Sequence, residues 1–455
     1  MRLIARRLTL AATYFLIGCV LLLGTVTFKG VSDAGNVALR DSMYKVLAYF
    51  YPNKTPISSL VLLDELTASQ GGENILTTHA RVLRAVARRK PSHILIDYYM
   101  VDEKGKNGIE DFVQALREIK SSGIRLYMGA MTPTARPERG PIIPELRSLV
   151  DDRTLELVSL EVGRDTYDQP VYRKKSEFET LGTRRFIDTA AIRLIRDLRP
   201  DIDVDRLPDE IELWWPLPPA EFNCAAAQRK CPAETYGLIR QLLSALKQPF
   251  KDIEDPIPFL FTPVIYSNYL FNGRLDLRDK IEETIKGKIV IYGRWVDQEQ
   301  DVFRNPIYAI DTGYRNRQRH LVPGSFYHAI AIQNINDLSY DVKIPANENE
   351  WISKATTLVI FILSMSSSII LVWMLTIKID IRSLGFAGEI ALDAGILIII
   401  LFINIGIASI MFFRFNIGST SWLDIFATTA IPAIFFRREL LFEKLKDTMD
   451  QMGGR

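Results

Sequence analysis

Histidine and cysteine are scarce in this chain of 455 residues, with 4 and 3 copies. Cys19 stands inside an apolar run, and Cys224 and Cys231 lie close together in a charged region. No C-x-x-C pair and no spaced Cys/His set is present, which argues against a zinc site. A nucleophile elbow, a P-loop, an H-E-x-x-H pair and a G-x-G-x-x-G opening a helix are all missing. These absences speak against an enzyme of the common hydrolase, nucleotide or zinc-protease types, and no cofactor is expected. Net charge is only +2, and neither an arginine-rich helix nor an RNP-like strand occurs, so nucleic acid is not an expected partner.

Apolar residues make up 48% of the chain and charged residues 24%. The mean hides a split, because the long apolar runs sit at the two ends. Arg2, Arg6 and Arg7 precede the run Leu8 to Phe28. That run matches the ~20 residues that cross a bilayer, and the arginines place the N-terminus on the cytoplasmic side. It is too long for a secretory signal core, and apolar residues continue through the lipoprotein-like Leu16-Ile17-Gly18-Cys19, so an uncleaved anchor is expected. Three further runs follow: Thr356 to Ile377, Ile390 to Phe413 and Trp422 to Phe436. Lys378, Arg382, Arg437 and Arg438 flank them on what would be the cytoplasmic side. The expected layout is an anchor (1–29), an exported domain (30–351), three transmembrane helices (352–436) and a cytoplasmic amphipathic tail (437–455). This predicts a multi-pass protein of the bacterial inner membrane with both termini inside.

The charged middle alternates. Short apolar strands at Leu60 to Leu63, His93 to Ile96 and Arg125 to Gly129 are separated by helical spacing over Thr77 to Arg89 and Gly108 to Ser121. Such alternation predicts an α/β domain with a mainly parallel sheet flanked by helices. A further strand is possible over Leu155 to Val162, Phe186 to Leu198 reads as a helix, Pro258 to Phe261 as a buried strand, and Lys288 to Tyr292 as the strand that closes the sheet. Trp214 to Pro256 reads as a lobe. On an exported domain, Cys224 and Cys231 would close an eight-residue loop as a disulfide, contributing roughly 2.5 kcal/mol on the loop-entropy account; two free thiols are the alternative.

The most informative stretch is Gly287 to Ala329. It runs from a β-branched strand ending on Gly293, through Asp301 ahead of Pro306, to Pro323-Gly324 and then His328-Ala329. This succession resembles the C-terminal signature of the CHASE2 domain, an extracytoplasmic sensor module of bacterial signalling proteins. The resemblance implies a sensor or receptor that binds a signal outside and relays it to a separate cytoplasmic partner, because the family's usual output domain would follow where only a 19-residue tail stands. Leu441, Leu445, Met449 and Met452 give that tail one apolar stripe, suited to a protein partner or to a second copy in a homo-oligomer.

Ligands of open parallel sheets bind beyond the carboxyl ends of the strands. The acids there, Asp64, Asp97, Asp102 and Asp301, together with Arg294 and His328, are the candidate ligand-binding set. Asp also serves as a loop cap for structural reasons. Two other readings remain: a scaffold subunit of a membrane protein complex, and an exported metal-dependent hydrolase using Asp64, Asp97 and Asp301.

Overall fold

A computed structural model describes residues 51–52, 55–63, 67–68, 75–99, 107–130, 142–164, 170–180, 183–216, 262–271, 275–294, 302–304, 321–344, 350–378, 386–415 and 429–440, with scattered positions in 11–17 and residue 442. The chain divides into two units, Tyr44–Lys343 and Met1–Met43 with Ile344–Arg455.

The first unit is built on six parallel strands. In chain order these are β1 (Ser58–Leu63), β2 (His93–Tyr99), β3 (Arg125–Gly129), β4 (Glu156–Val158), β10 (Val264–Tyr266) and β11 (Ile289–Arg294). Their order across the sheet is β10-β1-β11-β2-β3-β4, and every pairing is parallel. β11 therefore enters the middle of the sheet, between β1 and β2, rather than closing it at an edge. The central strands read as near-continuous apolar runs because both faces are covered.

One face carries α1 (Ile75–Ala87), α2 (Ile109–Ser121), α3 (Pro144–Asp151), α5 (Ser267–Phe271) and α6 (Leu275–Ile285). Val61, Leu63, Ile94, Ile96, Leu126, Met128, Val290 and Tyr292 of the strands meet Leu83, Val86, Phe112, Leu116, Leu149 and Ile285 of these helices in one buried core. Each such aliphatic side chain contributes about 1.5–3 kcal/mol by leaving water. The opposite face is covered by α7 (Gly324–Leu338), which lies against β1 and β11, and by α4 (Ala190–Leu198), which packs on α7.

Between β4 and α4 the chain forms small antiparallel pieces: β5 (Gly163–Arg164), β6 (Pro170–Arg173), β7 (Lys175–Thr180) and β8 (Thr183–Asp188). β7 and β8 form a hairpin in continuous register, while β6 pairs β5 and also β9 (Glu210–Ile211). The expected helix over Phe186 to Leu198 is thus strand at its start. Phe186 and Ile187 belong to β8, and the helix begins only at Ala190, after Thr189 in an extended conformation. A last pair, β12 (Val302–Arg304) and β13 (Leu321–Pro323), precedes α7. The expected strand at Pro258 to Phe261 and the Cys224–Cys231 loop lie outside the described residues.

α7 is buried on all sides from Gly324 to Ile335, so its polar side chains must find partners inside the protein. Asn334 does so by mimicking a strand. Its Oδ1 accepts from Trp214 N at 2.7 Å, and its Nδ2 donates to Trp214 O at 2.8 Å. Gln333 accepts from Ile57 N at 3.0 Å and donates to Thr55 O at 3.2 Å. Two extended segments are thereby fixed to one helix, immediately before β1 and after β9.

The second unit contains α8 (Glu350–Lys378), α9 (Phe386–Phe415) and helical residues 429–440. Phe361, Met365, Val372, Ile396, Ile400, Ala433 and Phe436 form its core, with Tyr14 and Phe15 packed against it. Arg437 forms an ion pair with Asp393. Among the described residues no helix is long and apolar enough to cross a membrane. This overturns the expected membrane part of about four spans, and with it the multi-pass inner-membrane location. On the described side chains the apolar runs are short: Ser364, Ser366, Ser367 and Ser368 interrupt α8, and Asp393 and Asn404 bracket the run of α9. Ser364, Ser368 and Asn404 are buried inside the unit, where the hydroxyl of Ser368 and the amide of Asn404 bond back to carbonyls one turn earlier.

Candidate functional site at the strand carboxyl ends

The carboxyl ends of β2 and β11 and the first turn of α7 converge on one point. β2 loses its regular register against β3 between Ile96 and Tyr99. An irregularity of this kind re-aims side chains and is common beside functional sites. Asp97 sits within it. On β11, Gly293 stands opposite α7, and a Cβ there would lie 2.9 Å from Ser325 Oγ and 3.1 Å from Ser325 Cβ. The missing side chain is what lets the helix start come down onto the strand end. The same Cβ position is 3.4 Å from Asp97 Oδ2, so Asp97, Gly293 and Ser325 border one another.

His328, one turn into α7, faces the same acid. Its Nε2 is 3.7 Å from Asp97 Oδ1, and both side chains are almost wholly buried, at 2% and 6% exposure. Its Nδ1 is 2.9 Å from the hydroxyl of Tyr172 on β6, whose ring meets the imidazole edge-on. The Tyr172 oxygen in turn accepts the backbone N–H of Ala191, in the first turn of α4, at 2.8 Å. Four elements that are distant in sequence therefore meet in one chain of polar contacts.

Burial pushes the His328 imidazole down to about 4, so the ring is neutral at physiological pH. The Asp97–His328 approach is then a carboxylate facing a neutral ring rather than a salt bridge. Burial also raises the Tyr172 phenol well above its ordinary value, against the N–H of Ala191 and the hydroxyl of Thr189, which lower it; the hydroxyl stays protonated.

Arg294 ends β11, one residue beyond Gly293 and on the other face of the pleat. It follows Tyr292 by two residues, and its charge reaches His79 and Tyr98 on the α1 side. There the Tyr292 hydroxyl is 2.7 Å from His79 Nδ1, and the rings of His79, Tyr98 and Tyr292 pack within 4.7–5.6 Å of one another. His79 is lowered to about 4, by burial first and by Arg294 second. The pleat explains the separation, since successive residues of a strand point to opposite faces.

Of the expected ligand set, the structure brings Asp97 and His328 together, while Arg294 follows Tyr292 at the end of β11 and its charge, like that of Asp97, acts on Tyr98. Asp64, Asp102 and Asp301 lie outside the described residues. Among the described residues no group of three or more His, Cys, Asp or Glu is placed to hold a metal ion. Tyr172 and Tyr292 carry no signal in the sequence that marks them as site residues. Tyr172 reaches His328 across 156 positions, and only the mixed packing of β6, α4 and α7 joins them. Gly293 was visible as part of the strand–Gly segment, although not as a neighbour of Ser325. Comparison of the chain with protein-family models, with curated proteins and with solved structures finds no match in any of the three.

Proposed function

We propose that the α/β unit is a non-catalytic, CHASE2-like sensor module that binds a small cationic ligand beyond the carboxyl ends of β2 and β11 and signals to a separate protein partner. The supporting observation is Asp97, a buried carboxylate at a break in strand register, placed where open parallel sheets take their ligands. A carboxylate in a low-dielectric setting attracts an ammonium group or a metal cation far more strongly than one in water. His328 fits a binding role over a catalytic one: its Nδ1 is 2.9 Å from the Tyr172 hydroxyl and its buried Nε2 faces the Asp97 carboxylate. Signalling requires that the ligand bind one arrangement of the protein more tightly than another.

The scaffold reading calls for a broad apolar patch on this unit. Its exposed large apolar side chains, Tyr99, Phe186, Tyr269, Phe271 and Tyr340, are spread over β2, β8, α5 and the segment after α7. Thermal-shift and calorimetric titration of the full chain with putrescine, ethanolamine, magnesium, calcium and manganese tests the ligand reading. At least one is expected to raise the unfolding temperature of the wild type and to lose that effect in Asp97→Asn. No response from the wild type, or an equal response from the variant, refutes it.

A further inference from the structure

We infer that Tyr172 is a positioning residue for the strand-end site: its hydroxyl sets the tautomer of His328, which then presents an Nε2–H to the carboxylate of Asp97. This rests on the reading of Asp97 as the ligand-binding group.

A neutral imidazole carries one proton, and the nitrogen that holds it is set by the partners of the other. The Tyr172 oxygen accepts the N–H of Ala191, which leaves its own proton available to His328 Nδ1, 2.9 Å away. With Nδ1 accepting, the ring proton falls on Nε2. Asp97 favours the same tautomer. At 3.7 Å the separation exceeds that of a direct hydrogen bond, but the sign of the interaction is clear: an N–H dipole facing a carboxylate is attractive, whereas a ring lone pair in that place is repulsive. The backbone of α4, the phenol of β6, the imidazole of α7 and the acid of β2 then form one polarised row, with hydrogen bonds as far as the imidazole and a dipole–charge attraction at its end. Such outer partners orient the group that meets the ligand, as they do behind metal-binding side chains. The row also accounts for the burial of Tyr172 and His328, two polar groups that would be costly inside the protein without partners.

Long-range proton–nitrogen correlation of the histidine rings in the 15N-labelled, ligand-free full chain tests this. With only 4 histidines, His328 is assigned by His328→Gln or by elimination with His79→Gln, His93→Gln and His320→Gln. His328 is expected as the neutral Nε2–H tautomer, and Tyr172→Phe is expected to abolish that preference. An Nδ1–H tautomer in the wild type, or an unchanged His328 pattern in a folded Tyr172→Phe, overturns the inference. The wild-type measurement decides even if the variant does not fold. An Nε2–H ring in a protein that answers none of the titrated amines and metals upholds the relay and ends the ligand reading. An Nδ1–H ring in a protein with Asp97-dependent binding does the reverse.

Discussion

Three buried histidines are expected to make the α/β unit labile to mild acid. His79, His93 and His328 are each at most 7% exposed, and each is lowered from 6.5 to about 4. Burial is the leading cause in every case, with the charges of Arg294 beside His79 and Arg125 beside His93 adding to it and Asp197 opposing it at His93. The unfolded chain takes up these protons near 6.5, whereas the folded protein resists until about 4. Above pH 6.5 neither state binds them and the folded state has its full stability. Between these values the unfolded state holds more protons, so stability falls as pH falls, by ~1.4 kcal/mol per pH unit for each ring. Three rings together give ~4 kcal/mol per unit, or roughly 6 kcal/mol lost between pH 8 and pH 5. That is comparable to the whole stability of an ordinary domain, about 5–15 kcal/mol. Denaturant unfolding followed by the fluorescence of buried Trp214 and Trp215 at intervals from pH 8 to pH 5 measures the slope. His328→Gln is expected to remove about one third of it, whatever its effect on stability at pH 8. A slope corresponding to less than one proton, or no change in slope in that variant, would refute the reasoning.

Other substitutions test the packing. Gly293→Ala places a methyl group against Ser325 and is expected to cost about 1–3 kcal/mol, read as a lower unfolding temperature and partly restored by adding Ser325→Gly. Asn334→Leu removes the two buried hydrogen bonds to the backbone N–H and C=O of Trp214, which predicts a loss of about 2–6 kcal/mol in denaturant unfolding. Arg84→Ala breaks bonds to Asp111 and Glu118, but all three side chains are partly solvated, so the same assay should show about 1 kcal/mol or less. In the helical unit, Asp393→Leu leaves Arg437 buried without its carboxylate and is expected to cost about 3–5 kcal/mol, whereas pairing it with Arg437→Met should restore most of the loss; calorimetry of the two variants separates these outcomes.

Legibility differed from element to element. The strands Leu60 to Leu63, His93 to Ile96 and Arg125 to Gly129 were plain in the sequence because buried parallel strands are short and apolar on both faces. The helices between them were equally plain, since α1 and α2 bury one stripe each, through Val82, Leu83 and Val86 and through Phe112, Leu116 and Ile119. Phe186 misled because apolar residues at Phe186, Ile187, Ala190 and Ala191 fit a helical spacing as well as a hairpin followed by a helix. The pairing of β8 with β7 is a hairpin between neighbouring segments, and the helical spacing of the apolar residues masks it. The apolar ends misled in another way: run length suggested spans, while the polar residues set inside α8 and α9 bear on how those helices pack.

By itself the sequence determined the α/β alternation, and it offered Asp97 and His328 among six candidates for the strand ends. These follow from periodicity and turn chemistry, which act between residues a few positions apart. Only the tertiary structure decided that β11 enters between β1 and β2, that Arg294 turns to the opposite face from Asp97, and that Tyr172 completes the contact chain behind His328. Each of those depends on which strand lies beside which and on the direction of the pleat, and both are settled by packing across the whole sheet.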